Sequence, residues 1–175
     1  MPHPPNLVLI GFMGTGKSSI GRLVATRLRF QFVDTDAVIV ERTGLPIAEI
    51  FALHGEEQFR DLETSALESC RAEHHRVVAT GGGIVLREQN RALLGELGFV
   101  VQLAASEEVI FERVSRNASR PLLRTPDPRA AISAMLAERR PLYDATAHLT
   151  VDTSTGTKRE IADEIARAAR VEFGW

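Results

Sequence analysis

The stretch Gly11-Phe12-Met13-Gly14-Thr15-Gly16-Lys17-Ser18 follows the pattern glycine, four residues, then Gly-Lys-Ser, whose chemistry is the cradling of phosphate. Glycines let the backbone bend closely around an anion, so that successive N–H groups and the N-terminus of a following helix meet its oxygens. Lys17 would reach the β- and γ-phosphates of a nucleotide as a compact ammonium, and the Ser18 hydroxyl would ligate Mg²⁺ directly. Gly14, Thr15, Gly16, Lys17, Ser18 and Ser19 are therefore the expected ATP-binding residues of this segment. The competing reading is a glycine-rich turn that merely joins a strand to a helix. Among 21 basic residues only Lys17 and Lys158 are lysines, which draws attention to the one that stands inside the motif.

Asp34-Thr35-Asp36 is the second group with chemical promise. One acid near Mg²⁺ and another within reach of an acceptor hydroxyl suit phosphoryl transfer, which needs metal placement and nucleophile orientation more than covalent chemistry. The alternative is that either aspartate simply caps a following helix. The phosphate motif alone leaves open whether the acceptor is water, a protein or a metabolite.

These residues must be carried by elements that bring them to one edge. Asn6-Leu7-Val8-Leu9-Ile10 is short, apolar and rich in β-formers, as a buried strand of a parallel sheet would be. From Lys17 the spacing of Ile20, Leu23, Val24 and Leu28 is helical, and Phe32-Val33 before Asp34 predicts a second strand. Helices are predicted over 46–53 and 56–72, separated by Gly55, and over 88–96, 106–116 behind a Ser106 cap, 129–140 and 157–171. Further strands are predicted over 76–80, running into Gly81-Gly82-Gly83, over 99–103 and over 148–152. Five short strands alternating with helices give an α/β fold of three layers, α/β/α, around a five-stranded parallel sheet. In such sheets ligands bind outside the carboxyl ends of the strands, where the phosphate loop, Asp34-Thr35-Asp36 and the glycine triplet all fall. Residues 117–128 lack helical periodicity and read as a mobile surface loop.

The 175 residues fit one domain, 1–175, without repeats or linkers. A net charge of −2 with 25% charged residues argues against a broad nucleic-acid surface or disorder. No stretch approaches the ~20 apolar residues of a membrane helix, and the opening residues lack the pattern of a secretory leader. The lone Cys70 has no partner for a disulfide and reads as a small buried hydrophobe. A cytoplasmic monomer is the expectation.

Beyond the phosphate loop and Asp34-Thr35-Asp36, the chain carries Gly55-Glu56-Glu57-Gln58-Phe59-Arg60 with Glu63, then Gly81-Gly82-Gly83, Arg120-Pro121-Leu122-Leu123 and Glu138-Arg139-Arg140-Pro141-Leu142-Tyr143. In this order and spacing, through the whole chain, it resembles the shikimate kinases. The resemblance implies transfer of the γ-phosphoryl group of ATP to the 3-hydroxyl of shikimate, giving ADP and shikimate 3-phosphate, in chorismate and aromatic amino-acid biosynthesis. ATP and shikimate would be the partners and Mg²⁺ the cofactor.

By the same resemblance Asp36, Arg60, Gly82 and Arg139 hold shikimate in a helical substrate-binding region around 34–63, and Asp34 reaches Mg²⁺ through water while Ser18 binds it directly. Two arginines suit a ring carboxylate and an aspartate suits a hydroxyl. Taken without the resemblance, Arg60 and Arg139 would read as charges on solvated helix faces. Residues 115–128 resemble the family's lid, with Arg120 beside the transferring group and Arg113 nearer the adenine; Arg116 and Arg124 are expected on the surface. Lys17, Asp36 and Arg120 are thus the expected catalytic residues. One departure from the general phosphate-loop plan is that the strand ending at Thr80 has no aspartate at its tip, which leaves that office to Asp34. A related small-metabolite kinase, or a sensing module that has lost turnover, are the rival readings.

Overall fold

Asn6–Ile10 (β1) is buried along its entire length, because it is hydrogen-bonded on both sides and covered on both faces. The computed structural model describes residues 5–117 and 124–175. Its sheet contains Gln31–Asp34 (β2), Arg76–Ala79 (β3), Gly98–Ala104 (β4) and Leu149–Asp152 (β5) besides β1, in the order β2-β3-β1-β4-β5 and parallel throughout. The expected five-stranded sheet is present.

Successive residues of β1 face opposite layers, as the strand period requires. Leu7 and Leu9 pack with Ile20 and Val24 of Lys17–Leu28 (α1), and with Ile161 and Ile165 of a last helix, Lys158–Glu172. Val8 and Ile10 pack into the other layer, whose helices are Ile47–Ser69 (α3), Glu88–Leu97 (α4), Glu107–Ser115 (α5) and Pro128–Thr146 (α6); the last helix is α7. Thr35–Thr43 (α2) joins α3 through a smaller apolar cluster of Ile39, Ile50, Phe59 and Ala66.

Three local features decide how the site is carried. Asp34 ends β2 and caps α2, its side chain accepting from the N–H groups of Asp36 and Ala37, so the capping role weighed above is real. Gly55 interrupts α3 with φ 79° and ψ 174°, a conformation open to glycine at little cost, and the expected break between two helical pieces lies there. The helix expected over 129–140 instead runs on through Pro141 to Thr146. Proline removes one backbone donor, yet Tyr143, only 1% exposed, is packed in the core, and that burial carries the helix past the proline.

Among the described residues no helix is long and apolar enough to cross a membrane. Cys70 is buried and unpaired.

Candidate active site

The phosphate loop leaves β1 and enters α1 at the carboxyl edge of the sheet. Gly16 occupies the N-cap position in a left-handed conformation, φ 93°, and supplies no side chain to satisfy the first N–H groups of the helix. Those donors and the positive end of the helix are thereby available to an anion. Thr15 turns its hydroxyl inward to the Phe12 carbonyl at 2.8 Å, so it offers its backbone and not its side chain to the cleft. The Lys17 ammonium donates to the carbonyls of Gly11 at 2.6 Å and Phe12 at 2.9 Å, within the loop it would serve.

Across from the loop, Ser18 Oγ donates to Asp34 Oδ2 at 2.7 Å. A hydroxyl and a carboxylate at one point are hard oxygen donors that fit Mg²⁺. Among the described residues no group of three or more histidine, cysteine, aspartate or glutamate side chains could hold a metal alone, so the remaining ligands would come from nucleotide phosphates and water.

Asp36, in the first turn of α2, stands on the same cleft. Burial raises its pKa above the ordinary carboxylate value, as does Asp34 beside it, while Lys17 and Arg60 pull the other way. Its buried Oδ1 has no hydrogen-bond partner among the described residues, which is an acceptor presented for use.

Arg60 and Arg139 are not on solvated helix faces: each is 7% exposed. Their surroundings differ. Arg60 pairs with Glu63 at 2.5 Å and with Glu56 at 3.1 Å, and these carboxylates outweigh the burial that opposes its charge, so its pKa lies above the ordinary value. Arg139 lies near the Phe12 ring, its carbon 5.9 Å from the centroid, and makes no ion pair among the described residues.

The glycine triplet explains how these charges come so close. A Cβ on Gly81 would stand 2.8 Å from Glu63 Oε1 and 3.0 Å from Asp36 Oδ1, and one on Gly83 would collide with the Arg60 guanidinium. Two of the bare positions thus admit this chain's own side chains. Gly82 is the roomy one: a Cβ there would have Met13 N at 3.5 Å and Arg139 Nη1 at 3.7 Å as its nearest neighbours.

One cleft of about 570 Å³ unites Gly14, Thr15, Gly16, Lys17, Ser18, Ser19, Asp34, Asp36, Gly82 and Arg113, a volume proper to a small-molecule site. Arg60 and Arg139 adjoin it behind the glycines. Arg113 bridges the phosphate loop and the end of β5, donating to Gly14 O at 3.1 Å and to Thr153 O at 2.5 Å. Arg116 has a largely exposed side chain, as expected, but also lines the cleft. Arg124 is exposed. Arg120 lies outside the described residues.

Four residues at the site received no role from sequence reasoning: Glu63, Tyr143, Thr153 and Lys158. Glu63 had a signal, since it lies three positions after Arg60 on a helix and so shares its face. Lys158 had another, because the chain's two lysines both line this cleft. Thr153, which donates to Thr15 O at 3.0 Å, and Tyr143, which donates to Gly82 O at 2.5 Å, meet partners far away in the chain, and no local spacing pointed to those contacts, although Thr153 lies in the 152–155 stretch and Tyr143 in the 138–143 motif that the resemblance touches.

A family model described as shikimate kinase matches residues 13–170. A shikimate kinase of Thermodesulfovibrio yellowstonii is 46% identical over 162 residues, which are 93% of this chain and 93% of that protein. One from Geobacter sulfurreducens is 48% identical over 165 residues, 94% of this chain and 91% of its own. Among solved structures, the shikimate kinase of Acinetobacter baumannii in complex with shikimate superposes with a TM-score of 0.90 at 38% identity, covering 94% of this chain and 92% of that one. Matched by the family model over residues 13–170 and by relatives across nearly its whole length, the chain belongs to the shikimate kinase family.

Proposed function

We propose that the chain transfers the γ-phosphoryl group of ATP to the 3-hydroxyl of shikimate, forming ADP and shikimate 3-phosphate on the route to chorismate and the aromatic amino acids. The observation that carries the acceptor is Arg139, a buried guanidinium with no carboxylate of the described chain paired to it, set against Gly82 beside the phosphate loop. A buried charge of this kind is costly unless an anion meets it, and a ring carboxylate is such an anion. Arg60 would assist, with its orientation held by Glu63.

The donor nucleotide lies along Gly14 to Ser19, whose N–H groups bind its phosphates, with Lys17 at the transferring end and Arg113 toward the base. Mg²⁺, when bound with the nucleotide, neutralises charge on the β- and γ-phosphates. Ser18 would be its direct ligand, and Asp34, hydrogen-bonded to that hydroxyl, would act on it from behind, through water. Asp36 accepts a hydrogen bond from the 3-hydroxyl through its unpartnered Oδ1 and orients that oxygen in line with the phosphoryl group. Its raised pKa suits acceptance of the proton as transfer proceeds, although a loose transition state asks for little early deprotonation.

Residues 115–128 would form a lid bringing Arg120 to the transferring group, where its charge stabilises the transition state and closure excludes water. All residues invoked belong to one copy of the chain, and a cytoplasmic monomer with two small-molecule substrates suffices as the working unit. A coupled assay of ADP release tests the reaction: release dependent on shikimate is expected, and purified folded protein without it would refute the assignment.

A further inference from the structure

The chain contains a single tyrosine, and its hydroxyl is spent on one contact of the acceptor side. Tyr143 is 1% exposed and packs in the core layer that also holds Phe12, Ile84 and Val85. Phenylalanine would fill the same volume. A buried phenol is tolerated only where its polar end is satisfied, and here it donates to the Gly82 carbonyl at 2.5 Å.

Gly82 belongs to three consecutive glycines, the backbone with the most freedom to lose on folding. A rigid aromatic anchor held by core packing can restrict such a backbone where a flexible side chain could not. Tyr143 also lies four residues after Arg139 on α6, and therefore on the same face. Burial raises the pKa of the phenol and the nearby Arg139 charge opposes that rise, and the guanidinium Nη1 is 3.7 Å from where a Gly82 Cβ would be. Gly82, Arg139 and the hydroxyl thus form one contiguous unit, made possible because α6 continues through Pro141.

We propose that Tyr143 is a positioning residue for acceptor binding: its hydroxyl holds the Gly82 carbonyl and stands beside Arg139, fixing the glycine backbone and the guanidinium in the relation that receives the acceptor's carboxylate. The proposal rests on the reading of Gly82 and Arg139 as acceptor-binding groups. A phenol that was only a satisfied core side chain would affect stability and leave the two substrates on an equal footing.

The test is Tyr143→Phe, read by calorimetric titration with shikimate and, separately, with ADP, and by steady-state kinetics. Removal of one buried hydrogen bond at the acceptor site is expected to raise the Kd and KM for shikimate about five- to tenfold, with ADP affinity kept within about twofold. An unchanged shikimate affinity, or equal weakening of both ligands, overturns the proposal. Wild-type protein titrated alongside separates the levels: if it fails to bind shikimate, the acceptor reading falls and the proposal with it, whereas normal wild-type binding with an unaffected variant removes the positioning role alone.

A second measurement needs no variant. Growth on 3-fluorotyrosine labels the one position, and its single ¹⁹F resonance is expected to shift on saturation with shikimate and to stay in place with ADP alone. Absence of a shift at saturating shikimate overturns the proposal even if Tyr143→Phe does not fold.

Discussion

The hydroxyl of Ser18 and the carboxylate of Asp34 meet at 2.7 Å, joining the first turn of α1 to the N-cap of α2. Asp34 therefore serves the fold with one oxygen, which accepts from the Asp36 and Ala37 N–H groups, and with the other accepts from Ser18 of the proposed phosphate site. The two duties can be separated by chemistry, since asparagine caps a helix about as well as aspartate but carries no charge.

Asp34→Asn is accordingly expected to keep stability within about 0.5 kcal/mol of wild type while the Mg²⁺ concentration for half-maximal rate rises about tenfold or more. Thermal unfolding and a Mg²⁺ titration of the rate check the two halves. A large loss of stability with an unchanged Mg²⁺ requirement would assign Asp34 to the cap alone.

Glu63 is buried and pairs with Arg60 at 2.5 Å. Its removal leaves a guanidinium in low dielectric with the exposed Glu56 as its remaining ion-pair partner among the described residues. Glu63→Ala should cost about 3–5 kcal/mol of stability, measured by urea unfolding. Glu63→Gln, which retains a hydrogen-bond acceptor, should cost less and raise the KM for shikimate more than that for ATP.

Asp36 gives a prediction in pH. Burial holds its pKa above the ordinary carboxylate value in the folded protein, so the folded state binds its proton more tightly than the unfolded chain does. The contribution of this group to stability therefore falls as pH rises from about 4 through the raised value, and it stays reduced at neutral pH. Asp36→Asn removes that penalty. It should be more stable than wild type at pH 7, should lose the advantage near pH 4, and should transfer phosphoryl groups at least about a hundredfold more slowly. Unfolding curves at the two pH values and a rate at pH 7 decide it.

Arg113 ties Gly14 of the phosphate loop to Thr153 at the end of β5. With Arg113→Ala the loop loses this tether and the cleft loses a cation, so the KM for ATP should rise about tenfold, as loss of a charged hydrogen-bonding group implies, with the KM for shikimate little changed. Steady-state kinetics with each substrate varied in turn measures the split.

The fold was legible where the signal is local and periodic. The apolar run of β1 meant burial on both faces, and the order of strands and helices meant a parallel sheet. The break at Gly55 was legible because only glycine takes that φ and ψ without strain. The end of α6 was misjudged, since the loss of a donor at Pro141 is a local rule and the burial of Tyr143 that overrides it is not local. The glycine triplet was placed by the sequence at the ligand-binding edge of the sheet. Two of its three positions are bare to admit Asp36, Glu63 and Arg60, which only the approach of α2 and α3 to the end of β3 reveals.

What the sequence determined by itself is the phosphate loop between β1 and α1: a contiguous motif whose conformation, and whose proposed contacts to phosphate and Mg²⁺, follow from residue types at fixed spacing. Family resemblance added which residues are proposed to hold the acceptor but not their interactions. The tertiary structure decided that Arg60 is ion-paired while Arg139 has no ion pair among the described residues, that Arg113 reaches Gly14 across 99 positions, and that Tyr143 reaches Gly82 across 61. Such partnerships depend on which side chains the packed layers bring within about 3 Å of one another, and no local spacing encodes that distance.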